Sequence, residues 1–372
     1  MIFSVPSEKI NKLLVQIKRL LIQELVNAKQ ISKIAGHLIS MTLAIGPLTR
    51  LFTRQMYRFI ESRSSWYEFT VLDYLLKEEL TFWERNLEKN NGCHIKKNYH
   101  TSKIVYSDAS GSGYGGYVVQ KLGNIVARGD FNSHERHTSS TYRELLAVKL
   151  ILQSFRLELK NESVQWFSDN NNVSRIIEVG SSRPHLHKLA IEIFDICISH
   201  DINLQSTWIP REENVIADTL SKTVDSDNWS IDCESFEYIQ SHFGEFTFDR
   251  FFDDLNKKVA CFNSKFHCPS SSGVNAFTLH WGDKFNWLCP PINLVGNVLK
   301  HMKLCNARGV LFVPMWHSSY FWPLITSDGQ YFNDFVKDYL LLDPFFHNNA
   351  RCKSVFEGFA KFKSIALLID FL

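Results

Sequence analysis

Nowhere in the 372 residues does an uninterrupted apolar run approach the ~18–20 residues that a membrane-spanning helix needs. The opening stretch MIFSVPSEKINKLLVQIKRL lacks the succession of basic, apolar and small-residue regions that marks a secretory signal. Eight cysteines are present, but no two form a CxxC pair, and in so long a chain they do not read as a disulfide framework. Free thiols in a reducing compartment are the better reading. Low-complexity segments and convincing internal repeats are also missing. These absences set the expectation of a soluble intracellular protein of cytoplasm or nucleus, without a membrane partner.

What is there fits an ordinary folded chain: 45% hydrophobic and 22% charged residues, with length enough for two or three domains. The net charge of +2 conceals an uneven distribution. Residues 1–60 hold nine Lys and Arg against two acids, whereas 223–248 hold six acids and neither Lys nor Arg. A basic N-terminal arm suits a polyanion, and equally a solvated helix face.

Apolar spacings of three and four predict two helices over residues 8–62, broken at Gly46–Pro47, and a further helix over 70–90 that stops at KNNG. LTRLFTRQMYRFIESR reads as continuous helix with Arg50, Arg54 and Arg58 on one face. From about residue 101 the pattern changes to three short β-rich runs, SKIVYSDAS, YGGYVVQKL and IVARGDFN, with a turn near Gly123–Asn124. Helices at about 140–158 and 184–200 then alternate with strands SVQWFSD and NLQSTWIP, before a last helix, ENVIADTLSK. A three-strand meander followed by alternating helix and strand implies a mixed sheet with helices on its faces. Beyond the acidic segment 223–248, an aromatic-rich region reads as a smaller α/β unit.

Asp108 ends the first apolar run, and small residues follow it directly. A buried carboxylate is unfavourable unless paired or bound to metal. Asp169 ends the fourth strand, Glu144 lies early in the helix before it, and Asp218 sits on the last helix of the unit. A mixed sheet of this order can carry Asp108 and Asp169 to one edge, within reach of Glu144. Four such carboxylates repel one another unless a hard divalent cation such as Mg²⁺ neutralises them. Two ions about 4 Å apart form a clamp for in-line attack on a phosphodiester. Ala109, Ser110, Gly111, Ser112 and Gly113 would then let a nucleic-acid backbone approach closely.

The motifs SDAS…GYGG, RELLAV, FSDNNNV and IPREENVIADTLSK, in that order, resemble the type-1 ribonuclease H domain of retroelement reverse transcriptases, looking closest to DIRS-like and then gypsy-like elements. The resemblance covers roughly 101–222. It implies an α/β, ribonuclease H-like fold with a mixed five-stranded sheet and flanking helices. It also implies cleavage of the RNA strand of an RNA–DNA hybrid with two Mg²⁺ or Mn²⁺ ions. The family's metal-binding acids map onto Asp108, Glu144, Asp169 and Asp218; Ala109, Ser110, Gly111, Ser140, Thr141 and Asn170 are the candidate substrate-binding residues beside them. Residues 1–100 are similar to the helical thumb and connection that precede this domain in such polyproteins, and 249–372 to the stretch that follows it, with 223–248 as an acidic linker. The polymerase palm is absent, so its remainder in the polyprotein is the partner implied besides the hybrid. The loop WIPREEN lacks the histidine that cellular ribonucleases H carry there.

Blander readings stand beside these. Thr141 and Glu144 fit a capping box, Asp169 fits an N-cap, and Asp218 fits a solvated helix face. Ser139 is the natural N-cap of the helix after it, which leaves Ser140 and Thr141 to face a groove or a 2′-hydroxyl. Cys261, His267, Cys268, His280 and Cys289 match no standard zinc spacing. Trp281, Trp287, Trp316 and Trp322 suit a core better than a base-stacking platform. A non-catalytic nucleic-acid-binding relic of the same fold is the alternative function, and a scaffold recruiting another protein through 240–372 is a third.

Overall fold

Leucines and isoleucines at helical spacing give α1 (Ser7–Ile22), which buries Ile10, Leu13, Ile17 and Leu20 along one face in a computed structural model describing residues 2–94, 100–225, 227–348, 354–359 and 361–372. Asn27 opens α2 (Ala28–Ser40) with a capping box: its side chain accepts from Gln30 N at 3.0 Å, and Gln30 Oε1 accepts from Asn27 N at 2.9 Å. The continuous helix expected over LTRLFTRQMYRFIESR does not form. A short turn of helix at Leu48–Leu51 ends, and α3 (Arg54–Glu61) starts afresh.

Two distant side chains hold that break open. Trp83 Nε1 donates to Phe52 O at 2.5 Å, taking a carbonyl that a continuous helix would use. The buried carboxylate of Glu79 accepts the N–H groups of Gln55 and Met56 at 3.1 and 2.8 Å, capping α3 from α4 (Tyr74–Asn86). Arg50 therefore lies on a different helix from Arg54 and Arg58. The helix expected over 70–90 starts only at Tyr74, because Asp73 caps it by accepting Leu76 N at 2.9 Å. Thr70–Val71 pairs instead with Leu25–Val26 as a short antiparallel ribbon.

The mixed sheet runs through β1 (Lys103–Ala109), β2 (Gly113–Val118), β3 (Ile125–Asp130), β4 (Ser163–Ser168) and β5 (Asn203–Trp208) in the order β3-β2-β1-β4-β5. β2 and β3 are antiparallel, with Gly123 at φ 126° in the connection between them. β1 is parallel to β4, and β4 to β5. Parallel neighbours need crossovers. These are α5 (Ser140–Ser154) before β4, and α6 (Asn171–Val179) with α7 (Pro184–Ser199) before β5. α8 (Val215–Lys222) follows β5. This is the ribonuclease H-like arrangement of sheet and flanking helices.

Downstream, the acidic segment 223–248 contains a strand at Trp229–Ile231 and α9 (Cys233–Phe243). A second five-stranded sheet is built from β6 (Phe248–Asp249), β7 (Phe285–Leu288), β8 (Arg308–Pro314), β9 (Val336–Leu342) and β10 (Ser364–Asp370), in the order β6-β7-β8-β10-β9. β6, β7 and β8 are parallel, and α10 (Val295–Leu304) makes the crossover from β7 to β8. Trp281, Trp287 and Trp322 are buried in its two apolar clusters, and Trp316 packs against one of them. His267 forms a parallel bridge to Ala127, with His267 N donating to Val126 O and Arg128 N donating to His267 O, both at 3.1 Å.

The chain gathers into two compact units, one of Met1–Ser107, Ser139–Leu152 and Arg156–Val215, the other of Asp108–Thr138, Gln153–Phe155 and Ile216–Leu372. Among the described residues no helix is long and apolar enough to cross a membrane.

Candidate metal centre

β1 alternates its side chains between the two faces of the sheet, and its pairing with β4 brings the carboxyl ends of both strands to the same side. Asp108 stands near the end of β1, and Asp169 directly follows β4. Glu144 is the fifth residue of α5. One carboxylate oxygen from each of the three lies within 4.8 Å of the other two. Asp108 and Glu144 are 3% and 8% exposed, and Asp169 is half-buried.

Three carboxylates at this separation raise one another's energy when all are ionised, and burial of two of them adds to the penalty. A hard divalent cation removes both problems, because oxygen donors of this kind are its preferred ligands. The donor set therefore fits a hard divalent cation. It would not suit a thiophilic metal.

The support around Asp108 comes from far along the chain. Ser221 Oγ on α8 donates to Asp108 Oδ2 at 2.5 Å. Ser110 Oγ lies 2.7 Å from Ser221 O and 3.0 Å from Gly113 N, so it ties the β1–β2 turn to the same helix. Gly115 allows that approach: a Cβ there would sit 2.5 Å from Leu220 Cβ and 2.6 Å from Ser221 N. The strand glycine thus makes room for α8. Gly111 has open space around its Cα. Beneath the site, Ser107 takes the Trp166 indole N–H on its hydroxyl at 2.8 Å and the Asn214 amide on its carbonyl at 2.9 Å.

Asp218 is not part of the three-carboxylate group. Both its oxygens lie 2.6 Å from Lys222 Nζ, one helical turn on. Ser139 Oγ accepts Tyr142 N at 3.3 Å at the start of α5, as its reading as N-cap expects, and Thr141 lies inside the helix rather than at its cap. Asn170, rather than Asp169, caps α6 by accepting Asn172 N at 3.1 Å. Of the proposed substrate contacts, Ser140 is exposed, while Ala109, Ser110, Thr141 and Asn170 are half-buried and Gly111 is exposed.

The three arginines expected on one helix face are engaged within the chain. Arg50 pairs with Glu178 at 3.2 Å, and Arg58 lies 3.8 Å from Asp73. Arg54 Nε donates to Val179 O at 2.5 Å, where a cation at the end of α6 is favourable. Among the described residues the cysteines and histidines of 261–289 form no metal-binding group.

Sequence reasoning missed Ser221 and Trp208. Ser221 carried a signal, since it lies three residues after Asp218 and so shares its helix face. Trp208, 48% exposed, donates its indole N–H to Asp169 O at 2.9 Å on the rim of the site.

Residues 98–195 match the family described as the RNase H-like domain found in reverse transcriptase. No curated protein matches the chain. Solved structures similar to it include LC11-RNase H1, isolated from compost by a metagenomic approach and solved with an RNA/DNA hybrid. It is 23% identical over 32% of this chain and 93% of its own, with a TM-score of 0.25. RNase H1 of the halophilic archaeon Halobacterium salinarum is 20% identical over 32% of this chain and 92% of its own, at 0.27. The foamy viral protease-reverse transcriptase, solved with an RNA/DNA hybrid, is 15% identical over 55% of this chain and 27% of its own, at 0.24.

Proposed function

We propose that this chain is a divalent-metal-dependent ribonuclease H that hydrolyses the RNA strand of RNA–DNA hybrids, encoded within a retroelement polyprotein of DIRS-like or gypsy-like kind. The observation that carries the reading is the meeting of Asp108, Glu144 and Asp169, three acids spread over 62 residues, with their oxygens within 4.8 Å. Asp108, Glu144 and Asp169 would hold the ions, and Asp218 would join them when Lys222 releases it. Bound Mg²⁺ or Mn²⁺, two ions in this reading, would activate water and stabilise the departing oxygen. The products would carry a 5′-phosphate and a 3′-hydroxyl.

The chain's own groups supply the positioning. Ser221 orients the Asp108 carboxylate, and the Ser107 contacts fix the strand end beneath it. Ala109, Ser110, Gly111, Ser140, Thr141 and Asn170 would border the hybrid, with recognition resting on backbone and shape. In this reading residues 1–100 form a thumb and connection-like region, 101–222 the nuclease, 223–248 an acidic linker and 249–372 an appended α/β unit.

A 5′-labelled hybrid incubated with Mg²⁺ tests the proposal, with Asp108→Asn as control. Undiminished cleavage by Asp108→Asn would show the assigned chemistry to be wrong. One observation favours a second reading, a hybrid-binding protein without turnover: the engagement of Asp218 by Lys222. Hybrid retained in EDTA, with no product in Mg²⁺ or Mn²⁺, would select it.

A further inference from the structure

The second sheet borders a cavity that Arg128, Gly129 and Asp130 of β3 also line. Its parallel strands β6 and β7 end at Asp249 and Leu288, and the residues just after them line this cavity of about 470 Å³. Arg250 and Phe251 come from the first strand end, Pro291 and Asn293 from the second. Open α/β sheets bind ligands outside the carboxyl ends of their parallel strands, and this volume lies in the range of small-molecule sites.

Arg250 is the unusual member. It is 2% exposed, yet among the described residues its guanidinium forms no ion pair. Nε donates to Asn286 Oδ1 at 2.8 Å and Nη1 to Asn263 Oδ1 at 2.9 Å, while Nη2 has no partner. The group lies over the Phe248 ring at 3.9 Å. Its chain neighbour Asp249 is fully buried, and burial pushes that carboxyl up to about 8, against the backbone N–H bonds from Lys258 and Phe251 and the pull of Lys258 and Arg250. A buried cation held by neutral amides, with its Nη2 group unspent, is a receptor for an anion.

The rest of the wall limits which anion. Phe266 and Phe277 offer flat apolar surface, and Asn275 and Asn293 offer amide donors and acceptors. Asp130, Asp227 and Asp253 also face the cavity, while Asp225 is paired with Lys265 at 3.0 Å. Each further negative charge on a ligand would add repulsion from those carboxylates, so the wall favours one anionic group over a polyphosphate. We infer that this cavity binds a small heteroaromatic molecule bearing one anionic group, of the nucleoside monophosphate class, with the anion drawn to the Arg250 guanidinium and the ring against the phenylalanines.

Calorimetric titration of the full chain tests this, using the four ribonucleoside 5′-monophosphates, the matching nucleosides and inorganic phosphate. At least one monophosphate should bind one-to-one, with its nucleoside and inorganic phosphate each on the order of tenfold weaker. Arg250→Gln should remove that preference, leaving monophosphate and nucleoside alike. Phe266→Ala, on the half-buried wall, should weaken both, and decides the matter if Arg250→Gln does not fold. Asp108→Asn should leave binding unchanged, which separates this site from the nuclease reading. Absence of binding by every monophosphate, equal binding of inorganic phosphate alone, or indifference to a folded Arg250→Gln or to Phe266→Ala would overturn the inference.

Discussion

Ser221 places its hydroxyl 2.5 Å from Asp108 Oδ2, joining residues 113 positions apart in the chain. A hydroxyl carries one proton, so donation to Asp108 leaves the 3.0 Å approach of Ser221 Oγ to Asp218 O without it. The bond restrains the orientation of the Asp108 carboxylate. Ser221→Ala should therefore slow hybrid cleavage by about tenfold to a hundredfold, the worth of one hydrogen bond to a charged group. Single-turnover rates measure it, and hybrid affinity in EDTA should not move.

Metal dependence gives a second outcome that needs no turnover. Mg²⁺ or Mn²⁺ should raise the melting temperature in a concentration-dependent way, since ions that bind only the folded chain stabilise it by mass action. Asp108→Asn combined with Glu144→Gln should remove most of that shift and raise the melting temperature without metal, because two buried charges are gone. EDTA should abolish cleavage, and excess Mn²⁺ should restore it.

Gly115→Ala tests the seat of α8. The added methyl would stand 2.5 Å from Leu220 Cβ and 2.6 Å from Ser221 N, and the backbone nitrogen cannot step aside alone. Destabilisation of about 1–3 kcal/mol is expected, with a fall in cleavage because Ser221 is displaced. Gly111→Ala, which meets nothing within 4 Å, should change stability little. Urea denaturation of both variants makes the comparison.

Glu79 should leave a mark on the pH dependence of stability. Burial pushes its carboxyl up to about 7 from 4.5, against the pull of the Gln55 and Met56 N–H groups. Between those values the folded chain holds a proton that the unfolded chain has lost. Stability from this group is thus complete below 4.5 and falls as pH rises to about 7, by about 3 kcal/mol in all. His187 works in the opposite sense: burial, with Arg54 nearby, lowers it to about 4 from 6.5, so its contribution is lost as pH falls through that window. Glu79→Gln should make the pH 5–7 stability profile rise more steeply with pH than that of the parent chain, as denaturant midpoints across the range will show.

The order of strands and helices and three of the four acids expected to cluster were legible in the chain, because each rests on near neighbours: alternation along Lys103–Ala109, helical spacing around Glu144, and an aspartate closing each of two apolar runs. Asp218, held by Lys222, is outside the group of three. Asn170 as the cap of its helix was missed by one residue, since Asp169 and Asn170 have equal capping chemistry and only the path of the chain chooses between them. The break after Phe52 was invisible, because Trp83 and Glu79 impose it from 31 and 24 residues away. The same holds for Ser221 on Asp108 and for the role of Gly115. Periodicity reports which face of an element is buried, but not what it is buried against. That choice belongs to packing, where groups far apart in sequence compete for the same few ångströms.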